Sequence, residues 1–225
     1  IIGYGQEDTP DALDSPGKIG TWSEMFTGKY AMFTIICLTI AGLNFFGYQA
    51  FTGFMTLYLK DLDGFSPDNI GMQVTLQGIG ALIGGLAWGY VADRFGRKIN
   101  LVGFFFTAIT TALYITISAD PYILGLIVFC YGFMVSCTYS WGVYFTELFP
   151  VHLRPMGASL FHGGLVFSLF APSIVAFVAE SHGLVTGMML APMAFFIAAL
   201  LWMLLPETLT SSSNYKGFDP NSVAE

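Results

Sequence analysis

Charge is what this sequence has least of. Of 225 residues only 10% are Asp, Glu, Lys or Arg, while 55% are hydrophobic. A water-soluble domain carries about 25% charged residues, so this chain cannot cover a water-facing surface and its solvent is lipid. Cysteine is scarce too. Cys37, Cys130 and Cys137 all fall in apolar stretches without metal-ligand spacing and read as small buried hydrophobes, so no metal site follows. Enzyme signatures are absent: there is no H-E-x-x-H, no G-x-S-x-G and no phosphate-binding loop. Gly3-Tyr4-Gly5 lacks the third glycine and the following helix of a dinucleotide loop. No catalytic residue and no cofactor are therefore assigned, and the chain does not read as an enzyme. Basic runs are missing, and the net charge of −7 comes from ends and loops, so no nucleic-acid partner is implied. The sequence opens on Ile1, with no basic segment and cleavage site of a signal peptide, and its start reads as a fragment boundary.

What is present is six long runs without Asp, Glu, Lys or Arg: 30–59, 69–92, 99–119, 121–146, 155–179 and 181–206. About 20 helical residues at about 1.5 Å each cross the ~30 Å hydrocarbon core. Only helices or closed barrels satisfy their backbone there, and the short alternating strands of a barrel are missing. The reading is an all-α membrane protein with six transmembrane helices. Residues 1–29 are a cytoplasmic linker, 30–206 the six-helix domain and 207–225 a polar cytoplasmic tail. With both termini in the cytoplasm, Lys18, Lys29, Arg94, Arg97, Lys98, Arg154 and Lys216 lie inside and only Lys60 outside, which satisfies the positive-inside rule.

Several local signals refine this layout. Thr21-Trp22-Ser23-Glu24 has capping-box spacing, and Trp22, Met25 and Phe26 share a helical face, so a short interfacial helix is expected before the first run. The first run exceeds a straight crossing and must tilt, bend or protrude. A turn is expected around Asp63-Gly64 and Ser66-Pro67. Gly80/Gly84 and Gly85/Gly89 are two G-x-x-x-G pairs that let helix backbones approach. The third run, rich in Phe and Thr, reads as a lipid-facing scaffold helix. Pro172 should kink the fifth. Polar side chains in lipid are costly and turn inward. Asn44, Tyr48, Gln49, Gln73, Gln77, Tyr139, Trp141 and His162 are therefore the candidates for lining a substrate path, with the aromatics as stacking surface. For Tyr48 and Trp141 a packing role is nearly as good a reading.

The densest charge cluster, Gly89-Tyr90-Val91-Ala92-Asp93-Arg94-Phe95-Gly96-Arg97-Lys98, is a tight hinge between the second and third runs. This G-x-x-x-D-R-x-G-R-K pattern resembles the signature loop of the major facilitator superfamily of transporters. Glu147-Leu148-Phe149-Pro150 with Arg154 and Gly157 resembles that family's E-L-F-P-x-x-x-R-x-x-G stretch. Pro206-Glu207-Thr208 resembles the closing P-E-T of its sugar and metabolite porters. The outer-loop-to-hinge region looks most like metabolite/proton symporters for sialate and other organic acids. The similarity covers about residues 20–210 and matches the C-terminal six helices of a twelve-helix facilitator.

The resemblance implies a secondary active transporter half that moves a small polar metabolite, an organic acid favoured, by alternating access coupled to protons. It implies a small-molecule substrate, a lipid bilayer and an N-terminal six-helix half as partners. That half would belong to the same polypeptide, a separate chain or a second copy of this one. It also implies a cytoplasmic gate network of Gly89, Asp93, Arg94, Gly96, Arg97, Glu147, Arg154 and Glu207. The competing reading is a non-transporting membrane subunit of the same fold that binds partner proteins or pigments. For coupling, His162 is the one side chain in the interior of a run whose charge changes near neutral pH, His182 standing at the edge of the sixth. Either His162 serves, or the coupling carboxylate lies in the N-terminal half.

Overall fold

The computed structural model describes residues 20–62, 65–117 and 120–208, apart from the side chains of Lys29 and Val151. Lys18, Lys216, the Asp63-Gly64 turn, the linker up to residue 19 and the tail from 209 lie outside the described residues. Every regular element among the described residues is helical. Six helical stretches are long and apolar enough to cross a membrane: Tyr30–Asp61, Pro67–Phe95, Arg97–Thr116, Pro121–Glu147, Arg154–His182 and Leu184–Trp202. They coincide with the six uncharged runs to within a few residues.

A short helix α1 (Trp22–Met25) precedes the first span, and Thr21 makes no side-chain cap to it. Its face is split: Met25 is fully buried, whereas Trp22 and Phe26 are half-exposed. The first span is one unbroken helix, α2 (Gly28–Asp61), of 34 residues. At about 1.5 Å per residue it is some 50 Å long and extends past the hydrocarbon core. The second span is α3 (Pro67–Phe95), opened by Ser66, whose hydroxyl accepts from the Asn69 N–H. The third begins with a 3-10 turn at Arg97–Ile99 and continues as α4 (Asn100–Thr116).

The last three spans are interrupted. The fourth comprises α5 (Pro121–Val135), a 3-10 segment Ser136–Ser140 and α6 (Trp141–Glu147). Asp120 caps α5 by accepting from the N–H groups of Tyr122 and Ile123. The fifth comprises α7 (Arg154–Gly163), α8 (Leu165–Ser168) and α9 (Ala171–His182). Pro172 sits in the first turn of α9, and the break falls just before it. A proline ring has no N–H and crowds the carbonyl four residues earlier, here that of Ser168. The sixth comprises α10 (Leu184–Met188) and α11 (Leu190–Trp202), interrupted at Met189, three residues before Pro192. The same chemistry explains this second break.

α3 lies along α5, α2 along α11 and the fifth span, and α4 along α5 and α11. The tightest seam is between α3 and α5. A Cβ on Gly80 would lie 2.2 Å from the Phe129 carbonyl oxygen, one on Gly84 2.4 Å from that of Phe133, and one on Gly132 2.2 Å from that of Gln77. The first G-x-x-x-G pair thus allows backbone to meet backbone. The second does not: Gly85 faces the Tyr139 ring, and a Cβ on Gly89 would meet nothing within 4 Å. The third span also departs from a plain lipid-facing scaffold. Phe104, Thr107, Ala108, Thr111 and Tyr114 are buried against neighbouring spans, while Phe105, Phe106, Ile109 and Leu113 face outward. The centre is aromatic. Trp141 stacks near Phe104, Phe145 and Trp202 at centroid distances of 5.0, 5.5 and 5.1 Å.

Candidate substrate cavity and gate

The cavity arises where the broken fourth span faces the first two. A space of about 430 Å³ opens between α2, α3, the α5–3-10 junction and α7. α2 contributes Asn44, Phe45, Tyr48 and Thr52, and α3 contributes Val74, Gln77, Gly78 and Ala81. The fourth span adds Gly132, Val135, Ser136, Thr138 and Tyr139, and α7 adds Phe161. No Asp, Glu, Lys, Arg or His lines it among the described residues. Its chemistry is hydrogen-bonding amide and hydroxyl groups beside aromatic rings, a small-molecule lining.

Inside it the amides differ in what they have left to give. Gln77 donates from Nε2 to Thr52 Oγ1 at 3.1 Å, and Thr52 lies 3.4 Å from the Tyr131 hydroxyl. Asn44 is 5% exposed, and its Oδ1 has no hydrogen-bond partner among the described residues. A buried acceptor left unpaired is costly, on the order of 1–3 kcal/mol.

Four of the eight expected path residues therefore meet at this cavity: Asn44, Tyr48, Gln77 and Tyr139. The other four do not. Gln49 folds along its own helix, so that a Cβ on Gly53 would come within 2.9 Å of its Nε2. Gln73 ties α3 to the start of α5, donating to the Pro121 carbonyl at 2.7 Å and lying 3.4 Å from the Tyr114 hydroxyl. Trp141 is fully buried in the aromatic centre. His162 is exposed, edge-on to Phe161 at 5.2 Å, and only Phe161 of the two reaches the cavity. For Gln49 helix rotation is the reason: residues 48 and 49 lie about 100° apart around α2. Thr52 was missed, although Asn44, Tyr48 and Thr52 form a legible every-fourth-residue stripe. Ser136 and Thr138 were hidden by the 3-10 segment, whose period differs from that of an α-helix.

At the other end of the same spans lies a charge cluster. Arg97 is the hub. Its Nη1 is 2.6 Å from Asp93 Oδ1, its Nη2 is 3.2 Å from Glu147 Oε1, and its Nε donates to Glu147 Oε2 at 3.4 Å. The Arg97 side chain is 8% exposed, against 70% for Asp93 and 29% for Glu147. Thr208 Oγ1 also donates to Glu147 Oε2. Glu207 accepts from the backbone N–H groups of Arg97 and Lys98 at 2.8 and 2.9 Å. Gly96 makes this fit possible. Its φ of 100° suits glycine, and a Cβ there would lie 2.5 Å from Glu207 Oε2.

Three expected members stand apart from the hub. Arg94 points away and donates to the Tyr90 hydroxyl at 2.8 Å, because it lies about 100° around α3 from Asp93. Arg154, first residue of α7, is exposed with no hydrogen bond or ion pair among the described residues. Gly89 lies a turn before Asp93 on an open face. Asn100 and Ser140 join the cluster's buried side and were not anticipated. Asn100 donates from Nδ2 to the Arg97 carbonyl at 2.9 Å, and its Oδ1 accepts from Ser140 at 3.1 Å. An Asn three residues after Arg97 is a residue type that bonds nearby backbone, which was the available signal.

A six-helix unit with this hinge at the ends of its second and third spans is a family trait, and the Major Facilitator Superfamily model matches residues 11–224. The chain belongs to the Major Facilitator Superfamily. It is thus an integral, multi-pass membrane protein of a family of transporters. The Sialic acid transporter NanX of Escherichia coli K12 is 26% identical over 178 residues, covering 76% of this chain and 42% of that protein. The Inner membrane metabolite transport protein YdjE of the same organism is 25% identical over 193 residues, covering 81% of this chain and 41% of its own length. The MFS-type transporter YfkF of Bacillus subtilis is 30% identical over 135 residues, 58% of this chain and 34% of the relative. The chain thus spans less than half the length of these curated relatives. The crystal structure of a D-xylose-proton symporter shares the fold, with a TM-score of 0.59 and 22% identity over 79% of this chain and 49% of that one.

Proposed function

We propose that this facilitator unit is one half of a secondary active transporter that moves a small polar metabolite by alternating access. The observation that carries the reading is the cavity itself, walled by uncharged polar and aromatic groups, among them Asn44, whose Oδ1 has no hydrogen-bond partner among the described residues. An acceptor kept in that state suits a ligand that brings a donor, such as a hydroxyl or amide N–H.

An N-terminal six-helix half supplies the facing wall, whether from the same polypeptide, a separate chain or a second copy. The second and fifth spans are the least buried of the six, with 22% and 17% of an apolar 18-residue stretch of each covered, which supports a contact surface there. An organic acid remains the favoured substrate. Since this wall offers no cation, the wall recognises the substrate's hydroxyl or amide part, and the counter-charge comes from the facing half. Both termini are placed in the cytoplasm, and the Arg97 cluster serves as the inner gate. Of its ion pairs, the one to the exposed Asp93 is weak enough to break in each cycle, at about 0–1 kcal/mol. Transport is coupled to protons, with the coupling carboxylate in the facing half rather than His162.

The test is uptake into proteoliposomes by the assembled transporter, with labelled N-acetylneuraminate and D-xylose as probes and an imposed pH gradient. Uptake driven by the gradient is expected, with KM raised about tenfold by Asn44→Ala, the equivalent of one lost hydrogen bond of about 1.4 kcal/mol. Uptake unchanged in KM by that substitution removes Asn44 from the site.

A further inference from the structure

The cavity and the Arg97 cluster are joined by α6, a helix of only seven residues. Its two ends are tied to the same turn. At the far end Glu147 is held by the Arg97 guanidinium. At the near end the hydroxyl of Ser140, the residue preceding α6, shares its one proton between two acceptors, the Cys137 carbonyl at 3.0 Å and Asn100 Oδ1 at 3.1 Å, and the second is the contact that reaches across to the third span. The orientation of the Asn100 amide is set by chemistry, since its Nδ2 faces the Arg97 carbonyl at 2.9 Å and must donate. Asn100 is fully buried and Ser140 is 7% exposed, so water does not compete for either bond. Ser140 also directly follows Thr138 and Tyr139 of the cavity wall, and Tyr139 is 66% exposed. The chain thus passes from cavity wall to Ser140, to Asn100, to Arg97, and back through Glu147 to α6.

We propose that Asn100 and Ser140 are positioning residues that lock α6 to the Arg97 turn, so that displacement of the cavity wall by substrate is delivered to the gate. Arg97 is the point of convergence. Its carbonyl is held by Asn100, its N–H by Glu207 and its guanidinium by Asp93 and Glu147. Neither positioning residue touches the ligand, and the inference rests on the transport reading above. Because Ser140 and Glu147 act through one closed loop of contacts, loss of either opens the same loop.

The experiment is a double-mutant cycle of Ser140→Ala and Glu147→Gln in the full-length transporter in nanodiscs, read by hydrogen exchange of residues 94–101. Each single variant should raise exchange of that segment by about fivefold or more, and the double variant no more than the larger single, as for one cooperative unit. An unaltered segment in Ser140→Ala, or single effects that multiply in the double variant, overturns the proposal. If Ser140→Ala does not accumulate as folded protein, Ser140→Cys, with a weak donor of similar size, takes its place under the same criteria. In proteoliposomes that take up labelled N-acetylneuraminate or D-xylose, Ser140→Ala should lower the maximal rate about three- to tenfold at unchanged KM. A change confined to KM overturns the positioning role. A parent that takes up neither probe counts against the transport reading for those compounds, and the exchange result alone then decides the coupling.

Discussion

The seam between α3 and α5 and the Arg97 cluster hold the same spans together by opposite means. At the seam, backbone lies on backbone and the contact is glycine surface. Such packing is short-range and loses its value as soon as it parts, so it suits a joint that stays shut. At the cluster the partners are charged side chains, one of them 70% exposed. Water replaces the bond to the exposed Asp93 at small cost, while the Arg97–Glu147 pair is more deeply covered. One molecule thus carries a backbone-packed joint beside a charged, partly hydrated one, and substitutions at the two should fail differently.

The largest effect is expected at the seam. Gly80→Leu sets a bulky side chain against the Phe129 carbonyl and should destabilise the fold by about 3 kcal/mol or more, read as loss of monodisperse protein or a sharp drop in melting temperature. Normal yield and melting would mean that the seam can part. Arg97→Ala should cost less stability, about 1–2 kcal/mol after discounting for the exposure of Asp93, yet abolish most uptake. A variant that unfolds while its residual folded fraction transports normally would reverse the contrast. Asn44→Ala, in the cavity between the two, should leave melting within about 1 kcal/mol of the parent, since no bond in the structure is lost. A clear drop would mean that Asn44 is packing cement. His162→Gln should leave proton-coupled uptake intact, and loss of coupling with substrate binding retained would move the coupling site into this half. The smallest effect is expected at Gly89→Ala. With open space around it, this change should raise helix stability by a few tenths to about 1 kcal/mol, and a destabilisation would reveal a contact there.

The spans were legible because an uncharged run of bilayer length has few other uses, and the Pro172 break because a proline lacks its N–H. Pro192 breaks the sixth span by the same chemistry, yet an unremarkable apolar context concealed it. Which residues line the cavity was legible only in part. Gln73 and Gln77 are both buried on one face of α3, but Gln73 is spent on the Pro121 carbonyl while Gln77 borders the cavity. Burial cost explains why each turns inward and is silent on whether protein or ligand meets it. The two glycine pairs had identical spacing, and only the neighbours of each helix face distinguish them. The charge cluster was readable as a set but not as a geometry, since Arg94 and Arg97 differ only in the direction they leave the hinge.

Glu207 has a further consequence. It grips the third span through main-chain N–H groups of Arg97 and Lys98, donors that the first turn of any helix leaves free. The grip is therefore blind to side-chain identity at positions 97 and 98. Arg97→Ala can disarm the cluster while the end of the sixth span stays moored beside Gly96. Mooring and latching are thus separately mutable: one depends on an acidic group and a glycine, the other on a guanidinium. A chain built this way can retune the ion pairs of the cluster, by exchanging side chains at the hinge, without setting its last helix adrift.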